Sequence, residues 1–275
     1  MRLGLVAAAA LFLTTPALAL QPATSDAGTM VKVNGIELHY REMGSGEPLL
    51  LIHGFGSCGM HSWGDFTEEL SKHYRLIIVD QRGHGGSTGE DHFSHRASAD
   101  DMLALLDHLK IARTRAMGIS SGGMTLYHVA TKAPERVISL VTIGATDQFE
   151  DHVRQMLAQA RFETMPPFLQ DMYRTCARRG PAQVDRLIDT FRGFSTSRND
   201  MNLTPADLAK VTANTLIIHG DHDDLFPVAI PARIYAAIPK AQLWIVPNGS
   251  HVPIYGQQEP EFLRVVLDFL KAPVL

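Results

Sequence analysis

The 275-residue chain is 45% hydrophobic, 7% aromatic and 20% charged, the balance of a folded globular protein rather than of a disordered or collagen-like one. Its 25 Lys and Arg against 29 Asp and Glu give a net charge of −4, with no run of basic residues longer than two, so no nucleic-acid partner is expected.

Taken in chain order, the first feature is a leader. Met1-Arg2 supplies a basic start, Leu3 to Leu13 an apolar stretch, and Ala17-Leu18-Ala19 a small-x-small cleavage signature after Pro16. This is the pattern of a secretory signal peptide over residues 1–19. The apolar stretch falls short of the roughly 20 residues that cross a bilayer. An exported protein, periplasmic or secreted, with no stable membrane insertion after processing is therefore expected. Cys58 and Cys176 are too few for a disulfide scaffold, and the sequence leaves open whether they pair in an oxidising compartment.

Met30 to Val33, Asn34-Gly35 and Ile36 to Tyr40 read as a hairpin with a two-residue turn. Apolar runs of strand length follow at Pro48 to Ile52, Leu76 to Val79, Ala116 to Ile119, Val137 to Ile143, Thr215 to Ile218 and Leu243 to Val246. They alternate with helical patterns, which predicts an α/β fold with a mostly parallel, doubly wound sheet. Ser98 to Leu109 is one such helix, with Asp100 and Asp101 in its first turn. The rhythm breaks between Ala145 and Val211, where helical stretches at Gln148 to Arg161, Phe168 to Arg179 and Gln183 to Phe191 are separated by Pro- and Gly-containing breaks. The expected organisation is a core domain of residues 20–146 and 211–275 with an inserted all-helical cap over residues 147–210.

The chemistry is read at the strand ends. Gly118-Ile119-Ser120-Ser121-Gly122-Gly123 joins a strand to a helix, the setting of a nucleophile elbow in which small residues permit a tight turn that exposes the serine. A serine hydroxyl needs an imidazole to take its proton and a carboxylate to orient that imidazole. His219-Gly220-Asp221-His222-Asp223-Asp224 follows a late strand and offers three aspartates. Asp223 is favoured for its place in the loop, with Asp221 read as a turn residue and Asp224 as outward-facing. His251, in the loop after the last strand, completes the order Ser, acid, His. Oxyanion donors are expected from the backbone N–H groups of Ser121 and, in His53-Gly54-Phe55-Gly56, of Phe55.

These segments, together with Asp80 to Ser87, Ala133-Pro134-Glu135-Arg136-Val137 and Gly249-Ser250-His251, resemble the successive signatures of the α/β-hydrolase family over essentially the whole chain after the leader. The resemblance implies a Ser120, Asp223, His251 triad, the acid standing four residues before Pro227, and gives Asp80 to Ser87 a structural and rim role. Within the family, Gly118 to Gly123 followed by Met124 is similar to the small-molecule esterases and enol-lactonases. That implies hydrolysis of esters or lactones through an acyl-enzyme, with carbon–carbon bond hydrolases, cofactor-free perhydrolases and non-catalytic ligand receptors as alternatives.

Residues 147–210 hold five phenylalanines and four methionines, side chains suited to an apolar, adaptable pocket wall. Gly54, Met156, Phe168, Phe191, Phe226 and Val252 are the candidate substrate-binding residues. No cofactor and no metal are expected. His219, Asp221, His222 and Asp223 sit on a tight turn that points adjacent side chains apart, and no phosphate-loop pattern is present. Asp91, His92 and His95 read as a solvated loop, and His61 as a residue of the rim or surface.

Overall fold

The computed structural model describes residues 28–89 and 93–272; the leader of residues 1–19, with Asp91 and His92, lies outside the described residues. Eight strands form one sheet: β1 (Thr29–Val33), β2 (Ile36–Met43), β3 (Pro48–Ile52), β4 (Arg75–Val79), β5 (Thr114–Ile119), β6 (Val137–Ile143), β7 (Asn214–Gly220) and β8 (Ala241–Val246), in the order β1-β2-β4-β3-β5-β6-β7-β8. The β1–β2 and β2–β4 pairs are antiparallel and all others parallel. Asn34 and Gly35 carry the β1–β2 turn with φ of 44° and 78°, the left-handed pair that a two-residue hairpin requires.

The sheet is buried on both faces, and the period-2 alternation of each strand divides its side chains between two cores. Leu50 and Ile52 of β3 join one cluster with Ile77, Val79 and Met102; Leu49 and Leu51 join the other with Trp63, Phe66 and Phe262. The helices that cover these faces are α1 (Gly59–Leu70), α2 (His95–His108), α3 (Ser121–Lys132), α8 (Ala229–Ala237) and α9 (Glu259–Lys271). Between β6 and β7 lie α4 (Asp151–Ala158), α5 (Pro167–Cys176), α6 (Ala182–Gly193) and the single turn α7 (Pro205–Leu208). The only pairing described among these residues is an isolated Gln148–Asn202 bridge.

Each expected run lies within a strand, with β2, β5, β7 and β8 extending two or three residues beyond it, and several helix limits also differ from expectation. Helix α2 starts at His95, because Ser94 accepts from the Ala97 N–H as its N-cap. Asp100 and Asp101 thus fall beyond the first turn, and Asp101 is buried, taking two hydrogen bonds of 2.7 Å from Arg82. Helices α4 and α5 are shorter than the apolar periodicity suggested, while α6 extends to Gly193. Cys58 and Cys176 are bonded, with their Cα atoms 5.4 Å apart, which answers the question the sequence left open.

Candidate active site

The chain order β3, then β4 on one side, then β5 on the other creates a switch point between β3 and β5. In open α/β sheets the crevice beyond the carboxyl ends of such strands is where ligands bind. The loop of His53 to Gly56 leaves β3 there, and Ser120 leaves β5.

Ser120 has φ 49° and ψ −114°, a strained conformation for a residue with a Cβ. The glycines around it are dictated by contact. A Cβ on Gly118 would sit 2.5 Å from the Gly122 carbonyl carbon, and one on Gly122 would sit 2.3 Å from the Ile52 oxygen. The elbow therefore wedges helix α3 against both β5 and the end of β3. By contrast a Cβ on Gly54 would meet nothing closer than 3.6 Å, whereas Gly56 has φ 76° and its Cβ would overlap the Tyr173 ring at 2.3 Å.

Ser120 Oγ lies 3.0 Å from His251 Nε2, and His251 Nδ1 lies 2.9 Å from Asp223 Oδ2. A carboxylate only accepts, so Nδ1 carries the proton and Nε2 accepts from the serine hydroxyl. Asp223 Oδ1 accepts the N–H groups of Leu225 and Phe226 at 2.8 and 3.1 Å. Burial works against the charge of Asp223, but the His251 hydrogen bond and these two amides outweigh it and hold the carboxyl below its ordinary range. Of the other two aspartates, Asp221 accepts the Gly249 N–H at 3.1 Å, and Asp224 is exposed. Among the described hydrogen bonds, the backbone N–H groups of Phe55 and Ser121 donate to no protein acceptor, so both remain free for an oxygen beside Ser120.

Buried polar groups hold this frame. His53 Nδ1 donates to the Gly54 carbonyl at 2.7 Å while Nε2 accepts the Gln81 N–H at 2.9 Å, and burial keeps the imidazole neutral by pushing its pKa down. Asp80 accepts from His39 Nδ1, Gly59 N and Gly86 N at 2.8, 2.7 and 2.9 Å, which ties the start of α1 to the Asp80 to Ser87 loop. The Phe55 ring stacks on Phe191 at 5.2 Å and meets Phe194 edge-on at 5.4 Å. Helix α6 thereby packs on the loop that carries one free amide.

Ser120 opens into a cavity of about 1100 Å³. Gly54, Met156, Phe168, Phe191, Phe226 and Val252 all line it. Phe168 and Met156 do so from largely exposed positions, 70% and 41% accessible. The wall is mostly aromatic, thioether and aliphatic, with a polar group of Ser57, His61, Ser62, Asp65, Tyr255 and Gln258. His61 is exposed and lies 3.3 Å from Ser57 Oγ, a rim position. Among the described residues lining the cavity there is no Lys or Arg, and no described group of His, Cys, Asp and Glu forms a metal cluster.

His95 is not the solvated residue expected: it is 1% exposed, lines the cavity and bonds Asp200. His219 is likewise buried beside Asp223. Neither was legible from sequence, because nothing local marks a residue whose partners come from distant loops.

A family model described as the α/β-hydrolase fold matches residues 47–183. The chain belongs to the α/β-hydrolase family. It is 27% identical over 271 residues to a 2-hydroxy-6-oxo-2,4-heptadienoate hydrolase of Pseudomonas putida, covering 90% of this chain and 98% of that protein. It is 26% identical over 253 residues to a pimeloyl-[acyl-carrier protein] methyl ester esterase of Vibrio campbellii, covering 83% and 96%. The solved enol-lactonase of Burkholderia xenovorans superimposes with a TM-score of 0.74 at 22% identity, covering 89% of this chain and 100% of that one, a likeness of fold. This α/β hydrolase is thus an enzyme whose relatives include both a methyl ester esterase and a dienoate hydrolase.

Proposed function

We propose that this hydrolase cleaves carboxylic esters or lactones of small to medium apolar substrates through an acyl-enzyme. Ser120 Oγ attacks the carbonyl carbon as its proton passes to His251 Nε2, and Asp223 stabilises the imidazolium. The carbonyl oxygen, now anionic, is received by the N–H groups of Phe55 and Ser121, each worth roughly 3 kcal/mol of barrier. The carbon–oxygen bond to the leaving group breaks, and the departing alkoxide takes the proton from His251. Water, deprotonated by the same nitrogen, then releases the acid and restores Ser120.

The observation that carries this reading is the Ser120, His251 and Asp223 chain of hydrogen bonds, 3.0 and 2.9 Å long, opening into an apolar cavity. The wall also weighs between the two chemistries of the relatives. A dienoate substrate brings a carboxylate, whose burial requires a cationic partner. The described lining offers Asp65 and Asp224 and no Lys or Arg, which favours uncharged esters and lactones over carbon–carbon cleavage of a dienoate.

The test is covalent labelling by a fluorophosphonate followed by turnover of p-nitrophenyl butyrate, lactones, a dienoate and peracid formation. Labelling at Ser120, ester turnover and a loss of at least about 10⁴-fold in Ser120→Ala support the reading. No label on the folded protein would favour a ligand-binding role, and faster cleavage of the dienoate would move the assignment to carbon–carbon hydrolysis.

Export belongs to the same proposal. The leader pattern of residues 1–19 and the Cys58–Cys176 disulfide, a bond that persists in oxidising compartments, both support it. Residues 1–19 fused to alkaline phosphatase should give periplasmic activity; a cytoplasmic, inactive fusion would remove the claim.

A further inference from the structure

The cavity wall contains a second His–Asp pair that the acyl-transfer steps do not use. His95 Nδ1 lies 2.6 Å from Asp200 Oδ2; a carboxylate only accepts, so Nδ1 is the donor. Asp200 also accepts the N–H groups of His95 and Arg96, each at 3.1 Å. Burial opposes its charge, yet these bonds and the His95 ring keep the carboxyl ionised down to about 2. Asp200 has a structural task, tying the loop before α7 to the start of α2. His95 Nε2 has none: among the described residues it meets no protein partner, although the ring is 1% exposed and faces the cavity.

The surroundings make a polar atom there unusual. The His95 ring lies 5.1 Å from Phe194, 5.2 Å from Phe93 and 6.1 Å from Phe149. Phenylalanine would complete this aromatic box, whereas histidine brings a polar nitrogen to the cavity wall. Phe194 also contacts Phe55, whose N–H is assigned to the substrate carbonyl oxygen. Phe194 thus touches both Phe55 and His95, and all three line the same cavity.

We infer that His95 Nε2 is a hydrogen-bonding subsite for a hydroxyl group carried on the acyl chain of the substrate. The proposal rests on the ester-hydrolase reading above. With Nδ1 donating to Asp200 and the ring set among Phe93, Phe149 and Phe194, which offer no acceptor for a second N–H, Nε2 presents its lone pair, so its partner must be a donor. A ketone or a carboxylate presents only lone pairs, whereas an alcohol supplies an O–H without bringing a charge into the box.

The experiment compares kcat/KM for methyl ω-hydroxyalkanoates with methyl alkanoates in which a methyl replaces the hydroxyl, across a series of chain lengths. The expected result is a preference of at least about tenfold for the hydroxy ester at the length that reaches His95, since an alkyl end leaves the nitrogen unpaired. His95→Phe should bring that ratio to within twofold, while His95→Gln, which returns an amide near the Nε2 position, should recover part of it. A merely structural role for His95 would move both substrates together and leave the ratio unchanged. The inference is overturned if the wild-type ratio stays within twofold at every length, a result that needs no variant to fold, or if His95→Phe keeps the preference. If neither ester series is hydrolysed and Ser120 takes no fluorophosphonate label, the ester reading fails and this subsite falls with it.

Discussion

His219 Nε2 lies 3.2 Å from Asp223 Oδ2, the oxygen that also receives the His251 Nδ1 proton. The same His219 nitrogen is 2.6 Å from the Phe226 carbonyl, which places its proton on Nε2, and burial pushes the imidazole pKa down so that the ring is neutral. Asp223 is therefore held by His251 and two backbone amides, while the neutral His219 ring, its N–H turned to the Phe226 carbonyl, lies against the same carboxylate oxygen. His219 acts through Asp223 and touches no reacting atom, which makes it a positioning residue.

Replacing His219 by Ala leaves the Phe226 carbonyl without its donor, loosens the loop that carries Asp223 and should lower kcat by about tenfold, the scale of one buried hydrogen bond, with KM little changed. His219→Gln keeps an N–H donor near the same place and should recover most of the loss. Steady-state kinetics on p-nitrophenyl butyrate checks both; an equal rise in KM for the two variants would argue for a packing role instead.

Acid stability should fail well above the carboxylate range. His84 and His128 are buried neutral, their pKa values driven by burial to about 3 and about 4. Unfolding restores ordinary values near 6.5, so below that pH the unfolded chain binds more protons and stability falls, by on the order of 4 kcal/mol per histidine once the pH passes the folded values. Urea midpoints measured from pH 7.5 to 4.5 should decline below about 6.5, and His84→Phe should flatten the slope. A flat wild-type profile over that interval would contradict the assignment.

The Cys58–Cys176 bond spans 118 residues and joins the N-cap of α1 to the last residue of α5. Closing a loop of that length in the unfolded chain is worth about 4–5 kcal/mol on the chain-entropy model. Reduction, or Cys58→Ser with Cys176→Ser, should lower Tm by roughly 10 °C in a protein of this size, read by scanning fluorimetry with and without reductant.

Gly56→Ala forces a Cβ into the buried Tyr173 ring at a backbone angle that favours glycine. The loop must shift, and with it the Phe55 N–H. The expected loss is about 100-fold in kcat, the scale of one oxyanion donor. Gly54→Ala, whose Cβ meets only ordinary contacts, should lose far less. Matched kcat values for the two variants would remove Gly56 from the positioning of that amide.

The strands, the hairpin turn and the strand-turn-helix at Ser120 were legible because each depends on neighbours in sequence: alternating apolar residues, a left-handed Asn-Gly pair, glycines where backbones nearly touch. The choice of Asp223 and His251 was legible from the order of loops at successive strand ends. The start of α2 was not, since Ser94 is an unremarkable serine until its hydroxyl meets the Ala97 N–H. What only the tertiary structure decided are the pairings between distant loops. Cys58 meets Cys176 across 118 residues, and His95 meets Asp200 across 105. His219, four residues from Asp223, turns back onto it only because the β7 loop folds over the strand end. Sequence determined which chemistry stands at the sheet edge, through local patterns; the packing of remote loops decided which other histidines face that chemistry, because burial and hydrogen bonding are properties of the assembled interior.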